Sequence, residues 1–171
     1  PIDPHRSTLC DHVVCGGTWA DVQWSPDSKE VAFVTTSRDH KREDLRIADA
    51  GSGAVRNVLA ERAETFFESG QGRVNWRYLS QSKEILWFSR KDDWGHLYLH
   101  DAGTGFQKNR ITTGEGNVTQ VLRVDEAART ILFQGVGKES GRDPYFRHLY
   151  KIGFDGKNQT LLTPENADHT L

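Results

Sequence analysis

The chain has 171 residues, 36% of them hydrophobic, and a formal net charge of -2, with 22 Lys and Arg nearly balancing 24 Asp and Glu. That length supports one ordinary domain with a core of its own. Scattered, balanced charge excludes the basic field of a nucleic-acid or anionic-membrane surface, and no apolar run approaches the roughly 20 residues that span a bilayer.

Residues 1–17 form a leading segment, read as the end of a preceding structural unit. The sequence has no Met at all and no charged start followed by an apolar stretch, so it reads as a piece of something longer. Cys10 and Cys15 are its only cysteines and are expected as free thiols or one local disulfide. With His5 and His12 they lack the paired C-x-x-C geometry of a zinc site, so no metal is expected there.

From residue 18 onward short strands follow one another. Strands are expected at 20–24 (ADVQW), 30–36 (EVAFVTT), 44–49 (DLRIAD) and 54–59 (AVRNVL), each β-branched or aromatic and bounded by turn residues. A second set is expected near 73–79, 84–90, 96–101 and 106–112, and a third near 118–124, 129–135, 147–153 and 158–163. The sets echo one another. LRIADAGSG begins at Leu45, LYLHDAGTG at Leu97 and LYKIGFDGK at Leu149, a spacing of 52 residues each time. Upstream lie SKEVAFV from Ser28, SKEILWF from Ser82 and ARTILFQ from Ala128.

A threefold repeat of four short strands is the signature of propeller blades. The expected fold class is all-β, a partial β-propeller of about three consecutive four-stranded antiparallel blades at 18–60, 73–113 and 117–164. Asp-Ala-Gly-Ser-Gly at 49–53 and Asp-Ala-Gly-Thr-Gly at 101–105 reverse the chain between the third and fourth strands, because Asp bonds nearby amides and Gly accepts positive φ. Asp155-Gly156 does so in the third unit, and Ser25-Pro26-Asp27-Ser28 turns between the first two strands.

Two connections are longer than a hairpin needs: 60–72 between the first and second units, and 136–146 inside the third. Long loops on a rigid scaffold are where binding resides. Phe66 and Phe67, adjacent aromatics among polar neighbours, either face a substrate or partner domain or cap the groove between blades. Trp24, Trp76, Trp87 and Trp94 are read as packing between blades.

Other motifs fail on their own chemistry. There is no G-x-S-x-G. GVGKES at 135–140 places Glu139 after the Lys where a phosphate loop has Ser or Thr, and lies between strands rather than before a helix. No H-E-x-x-H occurs among the seven histidines. His96 and His148, just before Leu97 and Leu149, are expected to be structural. Asp92-Asp93 are expected in a solvated turn, since adjacent residues of a strand face opposite ways. Asn117-Val118-Thr119 and Asn158-Gln159-Thr160 match the glycosylation triplet, which matters only in a eukaryotic secretory setting.

In order, DVQWSPDSKEVAFVTTSRDHK (21–41), FSRKDDWGHLYLHDAGTG (88–105), NVTQVLRVD (117–125), GRDPYFRHLYKIGFDG (141–156) and LLTPENADH (161–169) resemble the amino-terminal β-propeller of the dipeptidyl peptidase IV family, in the prolyl oligopeptidase clan of serine peptidases. In that family an eight-bladed propeller precedes an α/β-hydrolase domain that removes dipeptides from peptide amino termini, preferring Pro or Ala in second position. The resemblance implies three late blades, no catalytic residue and no cofactor in this chain, and an extracytoplasmic setting. It also implies that Phe66, Phe67 and Glu68 line the extended substrate pocket. The partners implied are a peptide substrate and the hydrolase domain. The competing expectation is a stand-alone ligand- or protein-binding module that closes its ring by homo-oligomerisation.

Overall fold

The structure, a computed structural model, describes residues 5–7, 22–68 and 73–170. The expectations for Cys10, Cys15 and His12 lie outside them. Among the described residues thirteen strands form three antiparallel sheets. The first blade holds β1 (His5–Ser7), β2 (Val22–Trp24), β3 (Glu30–Ser37), β4 (Arg42–Asp49) and β5 (Val55–Arg62). The second holds β6 (Arg77–Leu79), β7 (Glu84–Asp92), β8 (Trp94–Asp101) and β9 (Gln107–Arg110). The third holds β10 (Asn117–Asp125), β11 (Thr130–Val136), β12 (Arg147–Gly153) and β13 (Thr160–Leu161). The chain is thus a partial propeller of three blades.

The inner strand of the first blade comes in two pieces on one edge of β3: Ser7 pairs with Thr35 and Val22 with Phe33. The repeated leucines take matching places in the register, Leu45 opposite Val34, Leu97 opposite Phe88 and Leu149 opposite Gln134.

Two clusters of apolar side chains hold the blades face to face. Because successive side chains of a strand point to opposite faces, β7 serves both: Ile85 and Trp87 pack with Val34, Leu45 and Ile47 of the first blade, while Leu86 and Phe88 pack with Val118, Ile131, Phe133 and Tyr150 of the third. This is why EILWF carries no polar alternation. It is a strand buried on both sides. Trp76 and Trp87 are buried between blades as expected, whereas Trp24 and Trp94 are 55% and 40% exposed, at the edge and in a tight turn of their sheets.

The inner strands of neighbouring blades are stitched by carboxamides. Gln23 donates from Nε2 to the Trp76 carbonyl (3.0 Å) and accepts the Tyr78 N–H at Oε1 (2.9 Å). Asn75 does the same one blade on, donating to the Thr119 carbonyl (3.2 Å) and accepting the Val121 N–H (2.7 Å). The sequence expects a strand from 73, whereas β6 starts at Arg77.

The antiparallel order gives each blade two ends. Turns 25–29, 50–54, 80–83, 102–106, 126–129 and 154–159 share one, the turn end; the described connecting segments 38–41, 63–68, 73–76, 111–116, 137–146 and 162–170 share the other, the loop end. At the turn end Asp49 Oδ1 accepts the Gly51 and Ser52 N–H groups (3.1 and 2.7 Å), and Asp101 Oδ1 accepts those of Gly103 and Thr104 (3.0 and 2.7 Å). Gly105, at φ 75°, drives this turn onto the first blade so closely that a Cβ there would lie 1.8 Å from the Val58 carbonyl oxygen. Gly53 holds the matching conformation, φ 72°, with nothing within 4 Å.

Candidate functional site

The loop after β5 is strapped to the first blade by its backbone: the Ala63 N–H donates to the Lys41 carbonyl (2.9 Å) and the Phe67 N–H to the His40 carbonyl (2.7 Å). The receiving turn is itself fixed, because Ser37 Oγ accepts the Arg42 N–H (3.0 Å) and His40 takes a left-handed φ of 53°. The Phe66 ring stacks on His40, centroids 5.0 Å apart, and remains 59% exposed. Phe67 turns inward. It is half-buried, packs on the cluster between the first two blades, and its ring centre lies 6.4 Å from that of Trp87. Glu68 pairs with Arg90 of β7 at 3.5 Å.

Behind Phe67, Glu61 closes the space between blades. Its carboxylate accepts the Trp87 indole N–H (2.8 Å) and the Ser89 hydroxyl. Burial pushes the Glu61 carboxyl above the ordinary carboxylate range, and the Ser89 and Trp87 hydrogen bonds offset only part of that. Beside Glu68 a cavity of about 240 Å³ opens toward the third blade, lined by Phe88, Arg90, Asn117, Val118, Thr119 and Val136. Its Asn117 Oδ1 accepts the Gly95 N–H (2.7 Å), and the residue two further on, Thr119, is buried, so the first glycosylation triplet is part of the packing; Asn158 lies exposed at the turn end.

Nearby polar groups are occupied in holding structure. The Tyr98 hydroxyl donates to Asp92 Oδ2 (2.6 Å) and Arg110 pairs with the same oxygen at 3.2 Å, so these bonds keep the Asp92 carboxyl below its ordinary range. Asp92 therefore closes β7 within an ion-paired cluster rather than a purely solvated turn. His96 Nδ1 lies 3.2 Å from Thr112 Oγ1, which also accepts the Leu97 N–H (3.0 Å); His148 Nδ1 donates to the Thr163 carbonyl (3.0 Å), with the Leu149 N–H on Thr163 Oγ1 (3.0 Å). Burial, then the charges of Lys138 and Arg110, lower the His96 pKa to about 4, so its ring is neutral near pH 7. The hydroxyls of Ser25, Ser37, Ser52 and Ser89 each donate to a carboxylate, an arrangement that fastens turns and blades. Among the described residues no group of three or more His, Cys, Asp or Glu could hold a metal, and no helix is long and apolar enough to cross a membrane.

The sequence singles out Phe66, Phe67 and Glu68, and the structure places them on one loop at the loop end. It misses His40, Glu61, Trp87 and Arg90 as their partners. The one available signal for Glu61 is that it continues the alternation of β5 two residues beyond Leu59 on the same face.

The family model described as the dipeptidyl peptidase IV (DPP IV) N-terminal region matches residues 8–171. The chain belongs to this family. Dipeptidyl peptidase 4 of Arthroderma otae is 29% identical to this chain over 150 residues, covering 83% of the chain and 18% of the fungal protein. A probable dipeptidyl peptidase 4 of Trichophyton verrucosum is 33% identical over 69 residues, 40% of the chain and 8% of that protein. Among solved structures, Porphyromonas gingivalis dipeptidyl peptidase 4 superposes with a TM-score of 0.70 at 22% identity, over 84% of this chain and 19% of that one. A putative dipeptidyl aminopeptidase IV from Bacteroides ovatus gives 0.63 at 17% identity, over 85% and 23%. These superpositions show the shared fold, and the chain spans about a fifth of the length of the Arthroderma otae, Porphyromonas gingivalis and Bacteroides ovatus proteins.

Proposed function

We propose that this chain is a non-catalytic propeller portion of a serine exopeptidase that removes amino-terminal dipeptides, Xaa-Pro or Xaa-Ala. In this reading residues 1–17 lead in from a preceding blade, blades occupy 18–60, 73–113 and 117–164, and the connection 60–72 faces the substrate cavity. The observation that carries the reading is the family match across residues 8–171. The site geometry is compatible with it: an exposed Phe66 and a half-exposed Glu68 stand on a loop strapped by its backbone to the first blade and tied through Glu68 to Arg90 of the second, so they can form a wall without collapsing into the core.

The division of labour follows from the chemistry. An α/β-hydrolase domain supplies a serine nucleophile, a histidine base and the oriented third group. These blades position the peptide and limit access to that centre. An extracytoplasmic location accompanies the same reading. The test is the intact mass of the native polypeptide together with release of a dipeptide from a chromogenic Xaa-Pro substrate. A mass far above the 19.3 kDa of this chain, with activity, supports the peptidase; a mass of 19.3 kDa without activity replaces it with a binding module that oligomerises to close its ring.

A further inference from the structure

The substrate-facing loop is held from both sides, and one residue joins the two sides before the loop begins. On the first blade, the straps from Ala63 and Phe67 end on Lys41 and His40. On the second, Phe67 leans on Trp87 and Glu68 pairs with Arg90. Glu61, still within β5, reaches across to the Trp87 indole at 2.8 Å and to the Ser89 hydroxyl. A carboxylate acceptor makes stronger hydrogen bonds than a neutral one and, having two oxygens, can serve both donors at once. The Trp87 ring is thereby fixed in orientation on the side against which Phe67 rests.

We propose that Glu61 is a positioning residue for the substrate-facing loop: by holding Trp87 and Ser89 together it sets the bed of Phe67, and through Phe67 the direction in which Phe66 and Glu68 are presented to a peptide. This rests on the peptidase reading above. The charged groups around Glu61 are Glu43, directly opposite it on β4, and Lys91 and Asp92 near the end of β7. The backbone straps alone leave the χ angles of Phe67 undetermined, and the half-exposed Glu68–Arg90 pair is a weak constraint. Glu61 is the only one of these anchors that is both charged and packed between sheets. A glutamine there would keep an acceptor for the indole and offer its amide to Ser89, whereas an alanine would leave both donors without a partner.

The experiment uses the intact protein isolated with this chain in it, assayed on a pentapeptide with Pro in second position. Glu61→Ala should raise KM about fivefold with kcat within about twofold, the pattern of lost binding rather than lost chemistry. Glu61→Gln should restore KM, Phe67→Ala should raise it alone, and the double variant Glu61→Ala with Phe67→Ala should be no worse than the poorer single one. Trp87→Phe keeps a ring beneath Phe67 but removes the indole donor. It should raise KM about twofold, and it stands in if Glu61→Ala does not fold. An unchanged KM in Glu61→Ala beside a raised KM in Phe67→Ala overturns the positioning role and leaves the peptidase reading standing. Dipeptide release that no substitution at Phe66, Phe67 or Glu61 affects overturns both the loop assignment and this inference. Absence of dipeptide release by the wild-type protein overturns the peptidase reading itself.

Discussion

Glu84 and Glu61 are both carboxylates pressed between blades, yet the two ends of the molecule treat them in opposite ways. At the turn end Glu84 is 2% exposed and takes Lys108 from its own blade and Arg129 from the next. Burial pushes its carboxyl up, but the hydrogen bonds from Arg129, Lys108 and Ser82 outweigh this and hold it below the ordinary range. At the loop end Glu61 is offered hydrogen bonds by neutral donors, and its carboxyl is displaced upward. The first blade repeats the turn-end arrangement, with Glu30 accepting from Tyr78 and from Lys83 of the second blade at 3.0 Å. In the third blade Thr130 occupies that register position. The buried glutamate is therefore met by opposed charges at the turn end and by neutral donors beside ring contacts at the loop end, where the ion pairs Glu68–Arg90 and Arg110–Asp92 lie further toward solvent.

The contrast can be broken most severely at Gly105. Gly105→Ala sets a Cβ against the Val58 carbonyl oxygen and should cost at least about 3 kcal/mol, read as a loss of thermal stability. Gly53→Ala, in the same turn conformation but with open space above it, should cost only about 1 kcal/mol for its left-handed backbone. Equal losses would show that the turns do not interlock the blades. Glu84→Ala strands Lys108 and Arg129, and because both cations keep access to water its cost should be about 2 to 3 kcal/mol, below that of a fully buried pair; urea denaturation at neutral pH measures it.

Smaller effects belong to the loop end. Phe67→Ala should lose about 1 to 2 kcal/mol and Phe66→Ala under about 0.5, because only the first is packed between blades. A chemical denaturation series in which Phe66 proved the costlier residue would reverse their assigned places. The subtlest effect is one of sign. Lowered carboxyls such as Glu84 contribute stability that is present above the ordinary value of 4.5 and lost as pH falls through their folded pKa. Glu61, raised, contributes in the opposite sense: its share is full below 4.5 and lost as pH rises through its folded pKa. Against wild type, Glu84→Gln should therefore lose relative stability as pH climbs through the Glu84 folded pKa toward 4.5 and stay level above it, while Glu61→Gln should gain relative stability as pH climbs from 4.5 toward the Glu61 folded pKa. Melting curves over an acid-to-neutral series will show two slopes of opposite sign or sink the distinction.

Much of the fold is legible in the sequence because the repeat imprints itself on local residues. The Asp-Ala-Gly turns, the Ser-Lys-Glu openings and the three spaced leucines each report a position within a blade. The edges are less legible. His5–Ser7 is short and polar, and its pairing with Thr35 to Ser37 is set by the sheet rather than by its own pattern. Thr160–Leu161 is shorter than its alternation suggests, with two ladder partners on β12. For the site, composition draws attention to Phe66 and Phe67, but the contacts that aim them cross from one blade to the next. Glu61 and Ser89 lie 28 residues apart, and no local pattern connects them.

The carboxamides of Gln23 and Asn75 carry one more consequence. A carboxamide has a donor and an acceptor side by side, so it can answer a carbonyl and an N–H two residues apart only when the facing backbone stands at one height. Each acts as a depth stop between adjacent sheets. The connecting loops can then lengthen or shorten over evolutionary time without the blades sliding past one another, and a recognition surface can be rewritten while the frame that carries it keeps its alignment.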